Sequence, residues 1–277
     1  MAIHFQQPFL FLTQGSIRKQ NEKKYSWIEL EYHVKDTEKK IAHEIDHGKY
    51  LSETGLAGKV WNWETPAGKI RWQRRVQMIS QWLHDGDEVL ELGCGTGYFT
   101  QELVARKIHL TAIDISPELI AEAQKRVRSA SVDFAVQNAF QMTFENERFD
   151  AVVGSSVLHH LEIEKAVIEI FRVLKPTGKM IFTEPNMMNP QIALQKNIPW
   201  LKRKAGDSPD ETAFFRWKLK SLLRNAGFKV ISIVPFDFLH PAVPLRLIKP
   251  VRHFGNILEK MPLVKEIAGS LYIMAEK

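Results

Sequence analysis

VLELGCGTGYFT, residues 89–100, decides the fold. VLEL is an apolar run suited to a buried strand, glycine then recurs at every second position, and YFT opens a helix. Glycines at 93, 95 and 97 permit backbone dihedrals that other residues avoid and let a ligand approach bare backbone. A loop at the carboxyl end of a first strand is where open α/β sheets take their ligands.

The pattern continues on both sides. VQMISQWL (76–83) reads as an amphipathic helix feeding the first strand. Downstream the sequence predicts a helix over 100–106, a strand over 108–113, and a helix capped by Ser116 with Pro117 at its first position. VDFAVQ (132–137) and FDAVVG (149–154) are strands, and a helix from Glu162 is ended by Pro176. GKMIFTEP (178–185) is the fifth strand, a helix runs from about Glu211 to Asn225, and FKVISIVPF (228–236) and SLYIMAEK (270–277) complete the series. Strands alternating with helices of this length predict a mainly parallel, doubly wound α/β sheet with helices on both faces.

Composition sets outer bounds. The chain has 277 residues, 44% hydrophobic and 25% charged, enough for one large core with a modest second lobe. No uncharged apolar run approaches about 18 residues, so no spanning helix is expected. Near the N-terminus Arg18 and Lys19 follow the apolar stretch instead of preceding it, the wrong order for a secretory signal. One cysteine, Cys94, excludes an internal disulfide. These features predict a cytoplasmic protein, at most peripheral to a membrane. The +6 formal charge favours anionic partners but is not concentrated enough for a nucleic-acid footprint.

Residues 1–75 follow no single period and read as an N-terminal cap ahead of a core at 76–277. A helix is expected over 36–47, with Gly48, Gly55, Gly58 and Gly68 then breaking the chain. Trp61, Trp63 and Trp72 either glue this cap to the core or touch substrate. The histidines at 4, 33, 43 and 47 are scattered, and no zinc-ligand spacing is present, so no metal site is expected.

Two ligands suit the glycine loop. A dinucleotide fold wants G-x-G-x-x-G with an acid about 20 residues on, and Asp114 meets the second condition. The glycines do not meet the first, because position 98 is Tyr. Glu91 also brings negative charge that suits a cationic or amino-bearing ligand better than a pyrophosphate. Here the chain resembles the Rossmann-like (class I) S-adenosylmethionine-dependent methyltransferases. The resemblance rests on VLELGCGTGYF (89–99), LTAIDISPELI (110–120), QNAF (137–140), FDAVVGSSVLHHL (149–161) and VLKPTGKMIFTEPN (173–186), five motifs in order, with LLRNAGFKVISI and SLYIMAEK extending it to the C-terminus.

That resemblance implies a seven-stranded sheet whose last strand is antiparallel. It implies S-adenosylmethionine as cofactor and S-adenosylhomocysteine as product. Glu91 and the loop of Gly93, Cys94, Gly95 and Gly97 would face the methionine part. Asp114 would hold the ribose hydroxyls, with Ile115 against the adenine. Asn138, where the family often has Asp, would reach the adenine amino group beside Ala139 and Phe140, and Ser155 would lie near the transferred methyl.

Methyl transfer from a sulfonium is an in-line displacement that needs alignment, desolvation and a deprotonated nucleophile. His159 and His160 follow strand four and Glu184 ends strand five; these are the candidate catalytic residues, the other readings being a histidine that caps or packs against the following helix and a Glu184 that hydrogen-bonds a loop. The stretch GSSV lacks the Asn/Asp-Pro-Pro-aromatic motif of exocyclic-amine nucleic-acid enzymes, and the paired glutamates of protein-arginine enzymes are missing. A small-molecule acceptor follows, and an oxygen on a hydrophobic or lipid-like molecule fits best. Two insertions are expected to act as lids. Residues 186–217 carry Met187, Met188, Ile192, Leu194, Trp200, Phe214 and Phe215, either pocket surface or lid core. Residues 236–268 combine apolar side chains with five Lys/Arg and one acid between 241 and 265, as an ordinary lid or as a contact with anionic membrane. A non-catalytic cofactor-binding protein and, more remotely, an NAD-dependent dehydrogenase are the other readings.

Overall fold

The computed structural model describes residues 27–55, 58, 62–208 and 210–277, with side chains from Thr37 onward. The N-terminal stretch read for a signal, Trp61, and the side chains of His4 and His33 lie outside the described residues. Residues 37–277 form one compact unit.

Seven strands make one sheet in the order β3-β2-β1-β4-β5-β7-β6. They are β1 Glu88–Leu92, β2 His109–Asp114, β3 Val132–Val136, β4 Phe149–Ser155, β5 Leu174–Pro185, β6 Val230–Phe236 and β7 Ser270–Glu276. The β1–β2, β2–β3, β1–β4 and β4–β5 pairs are parallel, whereas β7 runs antiparallel to both β5 and β6. The order reverses between β1, which pairs with β2, and β4, so the switch point lies at the carboxyl ends of β1 and β4. Two apolar clusters cover the sheet faces. One gathers Leu90, Phe149, Val152, Met180 and Phe182 with Val167, Ile170 and Leu223 from helices. The other gathers Val89, Val153 and Ile181 with Ile79, Phe99 and Leu103.

The helices are α1 Trp27–Thr54, α2 Pro66–Ser80, α3 Tyr98–Leu103, α4 Pro117–Arg126, α5 Ile163–Val173, α6 Pro190–Asn197, α7 Pro199–Ala205, α8 Arg216–Asn225 and α9 Leu245–Leu258. The expected cap on α4 is present: the Ser116 hydroxyl accepts the Leu119 N–H, and Pro117 opens the helix.

Several boundaries differ from the sequence reading. Helix α1 extends to Thr54 and passes through Gly48, and α2 starts at Pro66 and includes Gly68. These glycines serve close contact instead of breaking helices. A Cβ at Gly48 would lie 2.7 Å from Ser116 Cβ, and one at Gly68 would lie 1.8 Å from the Asn62 carbonyl oxygen. Helix α5 stops at Val173, not Pro176. Leu174 is already extended (φ −71°, ψ 136°) and pairs with Phe149, because the chain enters β5 before the proline is reached. Helix α8 starts at Arg216, not Glu211, because Phe214 bridges to Asn186 and holds residues 212–215 out of the helix. Pro250 sits inside α9, at the sixth helical residue, where it forfeits a single main-chain bond.

Candidate active site

The carboxyl ends of β1, β2, β4 and β5 open into a cavity of about 560 Å³. Of the fourteen residues singled out from sequence, Glu91, Gly93, Cys94, Gly95, Asp114, Ile115, Asn138, Ala139, Phe140, Ser155, His159 and His160 line it. Gly97 and Glu184 stand behind this lining and shape it through their neighbours.

The glycine loop is built by left-handed backbone: φ is +67° at Gly93, +53° at Gly95 and +80° at Gly97. A Cβ at Gly93 would lie 2.2 Å from Val157 Cγ2, and one at Gly97 would lie 3.0 Å from Ala123 Cα. Asp114 ties the loop to β2: Oδ2 accepts the Gly95 N–H (2.9 Å) and Oδ1 the Ser116 N–H (3.0 Å). Each carboxylate oxygen keeps a further lone pair for a diol. Burial raises the Asp114 pKa against those backbone bonds. Asn138 Oδ1 accepts the Phe140 N–H at 2.9 Å, which sets the turn presenting Phe140. The Ser155 hydroxyl pairs with Thr183 Oγ1 at 2.9 Å. Burial pushes the Cys94 thiol well up, which suits packing and not nucleophilic chemistry.

Glu91 is 1% exposed, and its Oε2 has no hydrogen-bond partner. Burial pushes its pKa up to about 8, the Thr100 hydrogen bonds opposing and the Asp114 charge adding. A buried, unpartnered carboxyl oxygen beside bare glycine backbone fits a ligand with a positively charged amino-acid end.

Beyond β4 the two histidines separate in character. His159 Nδ1 lies 2.7 Å from Glu184 Oε2, while Glu184 Oε1 accepts the N–H groups of Val157 (2.9 Å) and Leu158 (2.8 Å). The carboxylate therefore fixes the proton on Nδ1 and leaves Nε2 unprotonated, 3.8 Å from Glu211 Oε2. Burial and the His160 charge lower the His159 pKa despite Glu184 and Glu211, so the ring is a free base at neutral pH. His160 is the opposite case. Burial opposes its charge, but Glu211 and Glu44 outweigh that and push it up to about 9.

Sequence reasoning missed the partners of His160. Glu44 of α1 lies 3.0 Å from His160 Nδ1, and Glu211 lies 3.6 Å away. Glu211 also accepts from Lys196 Nζ (2.5 Å) and the Ser208 N–H (2.8 Å). His160, His159 and Lys196 together hold Glu211 far below the ordinary carboxylate range despite its burial. His159, His160 and Glu211 bring three potential metal-ligand atoms within 4.8 Å of one another. The Lys196 ammonium and the protonated His160 already supply the positive charge there.

This cluster carries a pH prediction. His160 titrates near 6.5 unfolded and about 9 folded. Its stabilising contribution is complete below pH 6.5 and is lost as pH rises through 9. Urea midpoints should fall between pH 6.5 and 9.5, and His160→Gln should flatten that fall; equal slopes in both proteins would refute the assignment.

The insertions contribute less apolar lining than expected. Of the apolar residues named in 186–217, Ile192 lines the cavity, whereas Leu194 and Trp200 face outward and Phe214 belongs to the core. From 236–268, His240 reaches the cavity. The apolar wall comes from Leu51, Trp63, Trp72, Tyr98 and Phe99. Trp72 packs edge-on against Phe99 (5.7 Å) and stands 4.9 Å from Trp63, so these tryptophans both join elements and face the ligand space.

The strand order, the glycine loop at the switch point and the acid ending β2 define a Rossmann-like domain for a nucleoside-bearing ligand. A family profile described as a methyltransferase domain matches residues 90–182, and this match together with the named relatives supports a class I S-adenosylmethionine-dependent methyltransferase. It is 31% identical over 167 residues to an uncharacterized methyltransferase-like protein of Schizosaccharomyces pombe, covering 58% of this chain and 63% of that one. It is 34% identical to the ubiquinone biosynthesis O-methyltransferase of Xanthomonas oryzae, covering 55% and 65%. The chain thus spans less than two thirds of the length of these curated relatives. A SAM-dependent methyltransferase from Thermotoga maritima shares the fold, with TM-score 0.59, 21% identity, and coverage of 83% of this chain and 97% of that one. Among the described residues no helix is long and apolar enough to cross a membrane.

Proposed function

We propose that this protein transfers a methyl group from S-adenosylmethionine to an oxygen of a hydrophobic small molecule, with His159 as the general base. The observation that carries this reading is the Glu184–His159 pair, which holds the ring proton on Nδ1 and leaves Nε2, 3.8 Å from Glu211 Oε2, unprotonated in the wall of a cavity that the glycine loop, Glu91 and Asp114 share. When bound, the cofactor supplies an electrophilic methyl group on a sulfonium. Glu91 would hold its methionine end, Asp114 the ribose, and Ile115 and Phe140 the adenine.

The chain's own contribution is alignment, dryness and one proton transfer. Trp63, Trp72, Tyr98 and Phe99 exclude water and favour a flat or apolar acceptor. His159 takes the hydroxyl proton on Nε2 and becomes an imidazolium, which Glu184 stabilises through Nδ1–H. His160, already protonated and paired with Glu44 and Glu211, does not compete for that proton. The similarity to a ubiquinone biosynthesis O-methyltransferase supports an oxygen acceptor.

The test is methyl transfer from labelled S-adenosylmethionine to a panel of phenols, hydroxy acids and amines, alongside calorimetry with S-adenosylmethionine, S-adenosylhomocysteine and NAD. Label in phenolic products supports the reading, whereas label confined to amines overturns the oxygen acceptor. Binding should also expel the Glu91 proton below pH 8, so affinity should rise by up to about tenfold per pH unit toward that value. Calorimetry in buffers of different ionisation enthalpy reads this directly, and zero proton release between pH 6 and 8 would count against Glu91 as a ligand contact.

A further inference from the structure

Helix α9 and the turn after it form a surface that the active site does not explain. One side of the helix is spent on packing: Ile248 and Val251 rest on Ala67 and Ile70 of α2. The opposite side leaves large apolar side chains in solvent. Leu245 is 72% exposed, Phe254 64% and Leu263, in the turn, 87%, with Leu247, Ile257 and Met261 also exposed.

The charges on this surface are one-sided. Arg246, Lys249, Arg252, Lys260 and Lys265 make no ion pair with any described residue. The two acids of the segment are drawn inward: Glu259 pairs with Arg74 (2.6 Å) and Glu266 with Arg216 (2.6 Å). At about 100° per residue, Leu247, Phe254 and Ile257 fall along one flank of the outer side and Arg246, Lys249 and Arg252 along the other. Apolar residues beside unopposed cations match the boundary between acyl chains and anionic headgroups.

We propose that this face docks the protein on an anionic lipid surface. A second copy of the chain is a poor occupant, because a self-complementary contact would bring five unpaired cations against five more. Nucleic acid would leave the exposed Leu245, Phe254 and Leu263 in water. The proposal goes beyond the catalytic reading and does not depend on it. It does give the site an address: α2 carries α9 on one side, while its Arg71, Trp72 and Arg75 line the cavity.

The test is sedimentation of the full chain with vesicles of phosphatidylcholine alone or mixed equally with phosphatidylglycerol. Binding should be at least about tenfold stronger to the mixed vesicles and should fall as salt is raised. Lys249→Glu with Arg252→Glu should weaken it by at least about 25-fold, taking roughly fivefold per lost cation. Phe254→Ser with Leu263→Ser should also weaken it at low salt, about tenfold. Circular dichroism and cofactor calorimetry should be unchanged in both variants, which separates a docking failure from a failure of the methyltransferase reading. No binding to mixed vesicles, or equal binding by both variants, overturns the proposal. A concentration-dependent dimer abolished by the Phe254/Leu263 variant overturns it in favour of a contact between copies, and retention on duplex DNA without vesicle binding overturns it in favour of nucleic acid.

Discussion

His159→Ala is expected to lower kcat by about 10²–10⁴-fold while cofactor affinity stays within about twofold, as measured by single-turnover methyl transfer and calorimetry. The expectation follows from the division of labour around one carboxylate. Glu184 spends Oε1 on the Val157 and Leu158 N–H groups and Oε2 on His159, so its geometry is over-determined from both sides. The informative companion is Glu184→Gln. Its amide oxygen can keep the two backbone N–H groups, but its NH₂ would then face Nδ1 and move the imidazole proton to Nε2. The fold should survive and the base should not, a loss of similar size to the His159→Ala loss. Glu184 is thus a positioning residue, and its signature is a changed pH profile at nearly unchanged cofactor binding. Full activity in both variants would reduce the pair to a structural strut and leave acceptor deprotonation to the solvent.

Asp114→Ala should weaken S-adenosylmethionine and S-adenosylhomocysteine binding by about 10²–10³-fold, as measured by calorimetry. Two losses add. Hydrogen bonds from a diol to a charged carboxylate are worth about 1.5–3 kcal/mol each. The Gly95 and Ser116 N–H groups also lose their acceptor, so the loop no longer has a fixed position over β1. Gly93→Ala separates the second effect from the first. It leaves Asp114 in place but drives a Cβ toward Val157 from a backbone at φ +67°. It should cost affinity as well, through a displaced loop and some loss of stability. Undiminished binding in a folded Asp114→Ala protein would remove the ribose assignment.

The sheet was largely legible because its signals are local. The glycine spacing, the acid ending β2, the Ser116–Pro117 helix start and the apolar strands each occupy a few consecutive residues. The pairing of His159 with Glu184 was half legible: both residues were candidates, but their contact depends on β4 and β5 being neighbours. The surroundings of His160 were not legible. Glu44 arrives from α1 and Lys196 from α6, and no period in the sequence links them. Glu211 was masked for a different reason. A stretch with good helix formers downstream reads as helix from its start, whereas the Phe214–Asn186 bridge holds it extended and turns Glu211 toward the histidines. Gly48 and Gly68 misled in the same way, because a residue that permits close approach looks identical in sequence to one that breaks a helix.

The placement of β7 between β5 and β6 constrains how the protein can be made. Strand β6 pairs with β7 and with no other described strand, and β5 has β7 as its partner on that side. Until residues 270–276 leave the ribosome, β5 therefore presents an open hydrogen-bonding edge flanked by Ile181 and Phe182, and β6 has nothing to pair with. The cofactor half of the sheet, β1 to β4, can assemble during synthesis, while the other half waits for β7. Nascent chains stalled before residue 270 should be the species most prone to edge-to-edge association.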